Sequence, residues 1–143
     1  MSNQAGFKNA KQFLFVIDPL SIKDFKQEVD GNRGVSNSAG CVKSMDDTLN
    51  TLIDTLESYT IKRGKYMFNC DIAVVINKCD VAEVDREVRQ RTVLQAMSDD
   101  NLALKTELDA LNYVCEKFLK KYNEINFLQQ LKSRFAMVQF QWC

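Results

Sequence analysis

A polar tetrad that closes an apolar run is the part of the sequence best equipped for chemistry. Residues 71–76 read Asp-Ile-Ala-Val-Val-Ile, and Asn77-Lys78-Cys79-Asp80 follow directly. The Asp80 carboxylate can accept two parallel N–H bonds, the Asn77 amide can donate, and the methylene stem of Lys78 is long enough to lie across an aromatic ring. These groups suit a purine base, and guanine in particular, because its N1 and N2 present two adjacent donors. The alternative is an ordinary polar turn, since four residues match such a pattern by chance fairly often.

The elements around the tetrad predict that it lies at a ligand-binding edge. The β-branched run at 71–76 is typical of a strand buried on both faces, and ligands of parallel sheets bind outside the carboxyl ends of the strands. A second apolar run, residues 12–17, is closed by Asp18-Pro19, because proline removes a ladder donor and restricts the residue before it. Alternation of apolar Val138, Phe140 and Trp142 with glutamines predicts a third, half-buried strand at a sheet edge.

Helical patterns separate these strands. Ser44 and Asp47 form a capping pattern for a helix over residues 45–59, and residues 62–65 end it with glycine and cations. A shorter helix is predicted between 81 and 98, a strong amphipathic one over 106–122, and another short one near 127–131. The sequence therefore predicts a single α/β domain with three layers and a short, three-stranded parallel sheet joined by right-handed crossovers. Residues 1–11 carry little signal, and the Gly-, Ser- and Asn-rich residues 23–43 are interpreted as a surface loop.

The charge, histidine and cysteine content of the chain argues against several classes of function. The chain has 143 residues with 19 basic and 19 acidic side chains, so no overall field attracts it to nucleic acid or an anionic membrane. No apolar run has the length of a transmembrane helix, and nothing resembles a signal peptide. The absence of histidine excludes histidine-based acid–base chemistry and makes a zinc site very unfavourable. Five scattered cysteines without a CxxC pair favour reduced thiols and a cytoplasmic location.

The strand and tetrad together resemble the guanine-specificity motif of P-loop GTPases. The surroundings are most similar to the double-GTPase-like branch of the translation-factor-related class: residues 13–21 (Phe-Leu-Phe-Val-Ile-Asp-Pro-Leu-Ser) are similar to the strand before its central helix, and residues 114–119 and 135–140 to its last helix and strand. The resemblance covers residues 7–143 and only the second half of such a domain. It implies a P-loop NTPase fold with GTP or GDP as ligand, held through Asn77, Lys78 and Asp80.

The phosphate-handling parts of that class are not recognisable in this sequence. The GxxxxGK[ST] loop, the switch threonine and the DxxG magnesium motif are expected before residue 1, and a Ser-Ala loop is expected where the chain ends. Phosphoryl transfer needs positioned phosphates, Mg²⁺ and an oriented water. The expectation is therefore a fragment that recognises guanine, binds the nucleotide weakly, does not hydrolyse it alone, and holds Mg²⁺ only when the missing half is present. The alternative is a non-catalytic protein-interaction module, a pseudo-GTPase that uses its helices or an exposed sheet edge.

Two other features are interpreted as structural. The glycine-rich segment 31–44 ends in Lys43-Ser44, but Gly40 and Lys43 are not adjacent as a phosphate loop requires, so a flexible loop is favoured. Asp18 is interpreted as a turn-forming residue rather than a catalytic or phospho-acceptor carboxylate, because no partner lysine or acidic pair is evident.

The strand at residues 13–17 is expected to show an unpaired edge. The strand that would lie beside it in the resembled domain is absent here, and an apolar strand with a free edge must be covered. A second copy of the chain, the missing domain half or the N-terminal segment could cover it. A homodimer or a fragment of a longer protein is therefore predicted.

Overall fold

A computed structural model of the chain describes residues 10–34, 44–59 and 68–141, except for the side chains of Tyr59 and Asn69. Three parallel strands, β1 (Gln12–Ile17), β2 (Phe68–Ile76) and β3 (Phe135–Gln141), form an open sheet in the order β1-β2-β3. The predicted α/β fold with a three-stranded parallel sheet is therefore confirmed. β2 occupies the central position because its β-branched run is apolar enough to be buried between two neighbours.

Six helices lie in the described part of the chain: α1 (Lys23–Arg33), α2 (Met45–Tyr59), α3 (Ala82–Val88), α4 (Gln90–Met97), α5 (Glu107–Lys121) and α6 (Ile125–Arg134). The predicted cap of α2 is present, since the Ser44 hydroxyl accepts the Asp47 N–H at 3.1 Å. At α5, the Thr106 hydroxyl accepts the Asp109 N–H at 3.1 Å, and the Asp109 carboxylate accepts the Thr106 N–H at 3.0 Å. These reciprocal bonds satisfy donors that a helix start leaves free. None of the described helices combines the length and the apolar character that crossing a membrane requires.

The core joins the sheet to helices through aromatic contacts. Phe15 of β1 packs against Phe127 of α6 with ring centroids 5.5 Å apart. Phe25 of α1 makes edge contacts with Phe118 and Tyr122, at 5.4 and 5.1 Å between ring centroids. Edge-to-face geometry is favoured by the quadrupoles of the rings, so these contacts fix how α1 and α5 pack as well as burying apolar area.

The predicted surface loop over residues 23–43 is wrong for its first half. Residues 23–33 form α1, in which Phe25 and Val29 are buried. Their i, i+4 spacing places both on one face of the helix. Gly34, at φ +66°, ends the helix in the left-handed conformation that glycine adopts without strain. Residues 35–43 lie outside the described residues.

The two faces of the sheet differ in burial. Phe15, Val74 and Phe140 are register partners on one face and are all buried. On the opposite face, Leu14 and Val16 of β1 are 64% and 55% exposed. β3 lies at the other edge of the sheet and is half-buried, as predicted, although it begins earlier than expected. Trp142, predicted at its end, lies outside the described residues.

Candidate functional site

The tetrad lies at the carboxyl edge of the sheet, as the sequence predicts, and its backbone is anchored at both ends. The Asn77 N–H donates to the carbonyl of Ile17 at 2.9 Å, which extends the hydrogen bonding between β1 and β2 by one step. The carbonyl of Lys78 accepts the Val81 N–H at 3.0 Å and so closes a turn just before α3. A central strand, a tight turn and a helix therefore hold the loop at the edge where parallel sheets bind ligands.

Asp18, at the end of β1, is the main partner of the tetrad. Its Oδ2 accepts a hydrogen bond from Lys78 Nζ at 2.7 Å. Its Oδ1 accepts the Leu20 N–H at 3.0 Å, which caps the short 3-10 turn at Pro19–Ser21. The turn-forming role predicted for Asp18 is present, but the expectation that it has no lysine partner is wrong. The two residues are 60 positions apart in sequence, and they meet because β1 and β2 are parallel neighbours that end at the same edge.

The Asp18–Lys78 ion pair is a positioning contact rather than a large source of stability. The two side chains remain 45% and 40% exposed, so solvent screens the pair and its contribution is at most about 1 kcal/mol. Lys78 also has a left-handed backbone, with φ +55°, which is uncommon for a residue that carries a Cβ. The ion pair and the flanking backbone bonds hold this conformation, which carries the lysine stem across the gap between the ends of β1 and β2.

The other two predicted binding groups, Asn77 and Asp80, have side chains without a bonding partner among the described residues. Asn77 and Asp80 are exposed, and no described residue bonds to the Asn77 side-chain amide or to the Asp80 carboxylate. They follow β2 within one turn and so lie on the same loop as Lys78. The structure thus places Asn77, Lys78 and Asp80 on one loop at the carboxyl edge of the sheet. Shallow depressions lined by residues of α4, and by residues around the start of α5, do not include the tetrad.

The cysteines follow the predicted reduced state only in part. Cys70 and Cys115 are free and buried, whereas Cys79 is disulfide-bonded, which contradicts the expectation for that residue. Burial, and then the neighbouring charge of Glu116, raises the pKa of the Cys115 thiol to about 12. Burial, and then Asp71, also raises the pKa of Cys70. Both free thiols are therefore held in the protonated, unreactive form.

The sequence analysis did not identify Asp18 as a residue of the site. The sequence around Asp18 contains no lysine partner, and only the strand order reveals Lys78 beside it. The prediction for the glycine-rich segment 31–44 is tested only at its two ends. Of the glycine-rich segment 31–44, residues 35–43 lie outside the described residues. Within residues 10–34, 44–59 and 68–141, no group of three or more potential ligands is placed to hold a metal ion.

Comparison of the chain with protein-family models, with curated proteins and with solved structures finds no match. What the structure establishes is the fold class, an α/β domain with an open parallel sheet. The resemblance to P-loop GTPases rests on the residues of the chain alone.

Proposed function

We propose that this chain is the guanine-recognition part of a GTPase-like nucleotide-binding domain and is not catalytic by itself. The observation that carries the proposal is the presence of an amide, Asn77, and a carboxylate, Asp80, to which no described residue bonds, on an anchored turn at the carboxyl edge of the sheet. Surface carboxylates are common, but a carboxylate and an amide flanking a lysine fixed in the left-handed conformation are a more specific arrangement.

The chemistry of Asp80 distinguishes guanine from adenine. Guanine presents N1–H and N2–H as adjacent donors, and a carboxylate can accept both. Adenine has an acceptor at N1 and only a C–H at position 2, so the carboxylate would face a lone pair and remain unpaired. A site that is built to pair with particular donors strongly rejects a ligand that lacks them. Asn77 adds a donor for the acceptor edge of guanine, and the Lys78 stem supports a face of the ring.

The affinity of such a site is expected to be low. Charge-assisted hydrogen bonds to phosphates provide much of the binding free energy of nucleotides, and they need a nest of backbone N–H groups or a cluster of cations. Within the tetrad, Lys78 supplies the one cation, and it already pairs with Asp18. Base recognition alone predicts dissociation constants in the high micromolar to millimolar range, and no hydrolysis without added phosphate-binding and Mg²⁺-binding groups.

Titration by heteronuclear NMR tests the proposal, because it detects weak binding residue by residue. Guanosine and GDP are expected to shift the backbone amide signals of residues 77–81, and adenosine and ADP are not. Asp80→Asn keeps the shape but replaces one acceptor by a donor, and it should weaken guanosine binding by about tenfold or more, as expected for a lost hydrogen bond to a charged group. Asp100→Asn, at another exposed carboxylate, is the matched control and should bind as the wild type does.

Any one of three results would contradict the proposal or a part of it. Equal shifts with guanosine and adenosine would show that Asp80 does not select the base. Unchanged binding in Asp80→Asn would show that the ligand contacts another surface. Release of phosphate from GTP and Mg²⁺ by the purified chain, above the rate of a Lys78→Ala variant, would contradict the non-catalytic part of the proposal.

The alternative function, a protein-interaction module, is favoured by the exposed apolar residues Leu14 and Val16 on β1. It predicts no nucleotide-dependent shift at residues 77–81. It also predicts that substitutions on β1, and not substitutions in the tetrad, weaken binding of a protein partner.

A further inference from the structure

The outer edge of β1 carries unpaired backbone groups. The carbonyls of Lys11 and Ile17 accept N–H groups of Asp71 and Asn77, both at 2.9 Å, so the odd-numbered residues of this segment face β2. In a strand the N–H and C=O groups of alternate residues point to opposite sides. Leu14 and Val16 therefore direct theirs away from the sheet, where no described residue bonds to them.

The same two residues have the most exposed apolar side chains of the strand. Leu14 is 64% and Val16 is 55% exposed, on the face of the sheet opposite Phe15. Edge strands are ordinarily protected by charged side chains, proline or a bulge. The six residues of β1, Gln-Phe-Leu-Phe-Val-Ile, contain none of these, and they pair with β2 in an uninterrupted register. β1 thus has the properties of a strand that is paired on both sides.

The opposite edge of the sheet, formed by β3, differs from β1 because a helix bonds to part of its outward backbone. On β3, the Phe140 N–H donates to the side-chain carbonyl of Asn112 on α5 at 2.8 Å. A helix therefore satisfies part of the outward backbone of β3. No described element does the same for β1.

We propose that β1 pairs antiparallel with β1 of a second copy of this chain, about a two-fold axis perpendicular to the sheet, so that the two sheets join into one. In the register that we assign, Leu14 lies opposite the partner's Val16, and Phe15 lies on the axis. This inference does not depend on nucleotide binding.

The backbone geometry restricts the register to a few choices. Residues directly opposite one another in an antiparallel pair point to the same face, so even-numbered residues must meet even-numbered ones. With Phe15 on the axis, Leu14 and Val16 exchange both backbone hydrogen bonds with the partner, twice by symmetry. Their exposed side chains then form one continuous apolar stripe across the junction.

Polar groups at the ends of β1 select this register over its neighbour. With Phe15 on the axis, Gln12 lies opposite the partner's Asp18, where an amide can donate to a carboxylate. A shift that placed Leu14 on the axis would set Gln12 against the partner's Val16, a polar group against an apolar one. No charge lies within β1, and the chain has a formal net charge of zero, so association meets little electrostatic repulsion.

A matched pair of charge variants tests the assignment to β1. Val16→Lys and Met137→Lys each add a lysine on an outer strand at a partly exposed apolar position, since Val16 is 55% and Met137 is 47% exposed. Sedimentation velocity from micromolar to near-millimolar concentration should show a concentration-dependent dimer for the wild type and for Met137→Lys. Val16→Lys should weaken the dimer more than about tenfold, and the double variant Leu14→Lys/Val16→Lys further, because like charges then lie directly opposite.

Circular dichroism melts of the same variants show whether each one folds. A wild type that is monomeric over the whole concentration range would overturn the proposal. So would a dimer that persists in the folded double variant, or one that Met137→Lys disrupts as strongly as Val16→Lys does.

Disulfide trapping tests the register and does not require the charged variants to fold. Cα atoms of hydrogen-bonded antiparallel pairs lie about 5.5 Å apart, within the range that a disulfide spans. Under mild oxidation, a mixture of Leu14→Cys and Val16→Cys should cross-link faster than either variant alone, with the wild type as control for its own thiols. Faster cross-linking of Leu14→Cys alone would move the axis to Leu14 and refute the assigned register. Cross-linking no faster than that of the wild type would refute pairing through β1.

Discussion

Replacing Lys78 by glycine and by alanine gives a direct test of the geometry of the tetrad. Lys78 has φ +55°, in the left-handed region, and its side chain bonds to Asp18. Both replacements remove the ion pair to the same extent. The difference in unfolding free energy between them therefore reports the effects of the residue on the folded and the unfolded backbone, and not the ion pair.

The sign of that difference follows from two opposing effects. The left-handed conformation costs a residue with a Cβ about 1–2 kcal/mol, and glycine avoids this cost. Glycine in turn gives the unfolded chain more conformational freedom, which favours alanine by about 0.4–1 kcal/mol. Glycine should therefore be the more stable replacement by roughly 0.5–1 kcal/mol. Lys117, exposed within α5, provides the control, because there glycine should be the less stable replacement by about 1 kcal/mol.

Urea denaturation of the four variants, followed by circular dichroism, measures the comparison. The two positions should give differences of opposite sign. If alanine is the more stable replacement at Lys78 as well, the left-handed turn is not part of the native loop, and the alignment of Asn77 and Asp80 inferred from it fails.

Two further predictions concern titratable groups, the partly buried Glu124 and the buried Cys115. Burial, and then the charges of Asp46 and Asp24, raises the pKa of the Glu124 carboxyl, so the stability linked to its protonated form is present below the ordinary glutamate pKa and is lost as the pH rises through the folded pKa. Glu124→Gln should therefore melt higher than the wild type near pH 7 and no higher in acid, and an equal gain at both pH values would contradict this cause. The Cys115 thiol, with a pKa of about 12, should resist a thiol reagent at neutral pH until denaturant is added. Rapid labelling of Cys115 in the folded protein, located by mass spectrometry of its peptides, would show that the site opens without unfolding.

The sequence correctly predicts the ends of strands and helices that are set by neighbouring residues. Pro19 ends β1 where expected, and the caps at Ser44 and Thr106 start their helices at the predicted residues. The position of the tetrad followed from the apolar run before it. In each case the information lies within a few residues of the boundary.

Features that depend on tertiary neighbours could not be predicted in the same way. Helix α1 was missed because Gly31 and Gly34 are typical of loops, and the helix buries few residues, chiefly Phe25 and Val29 against α5. The partner of Asp18 was missed because only the order of the strands brings Lys78 beside it. Such contacts are set by packing between distant segments, which the spacing of residues along the chain does not encode.

Strand β1 links the two proposals physically. It fixes the loop through the Ile17 carbonyl and the Asp18 carboxylate, yet among the described strands it is held by β2 alone, with Phe15 packed on Phe127. Any partner that pairs with its outer edge restricts the motion of Asp18, and through it the motion of Lys78.

Dimerisation and base binding would then be coupled, and the coupling must be reciprocal: a ligand that favours the ordered loop also favours the dimer. The two proposals can nevertheless fail separately, since Val16→Lys leaves the tetrad intact and Asp80→Asn leaves β1 intact. Loss of the guanosine response in Val16→Lys as well would indicate that the loop is ordered only in the dimer, so that the edge of β1 is part of the binding site.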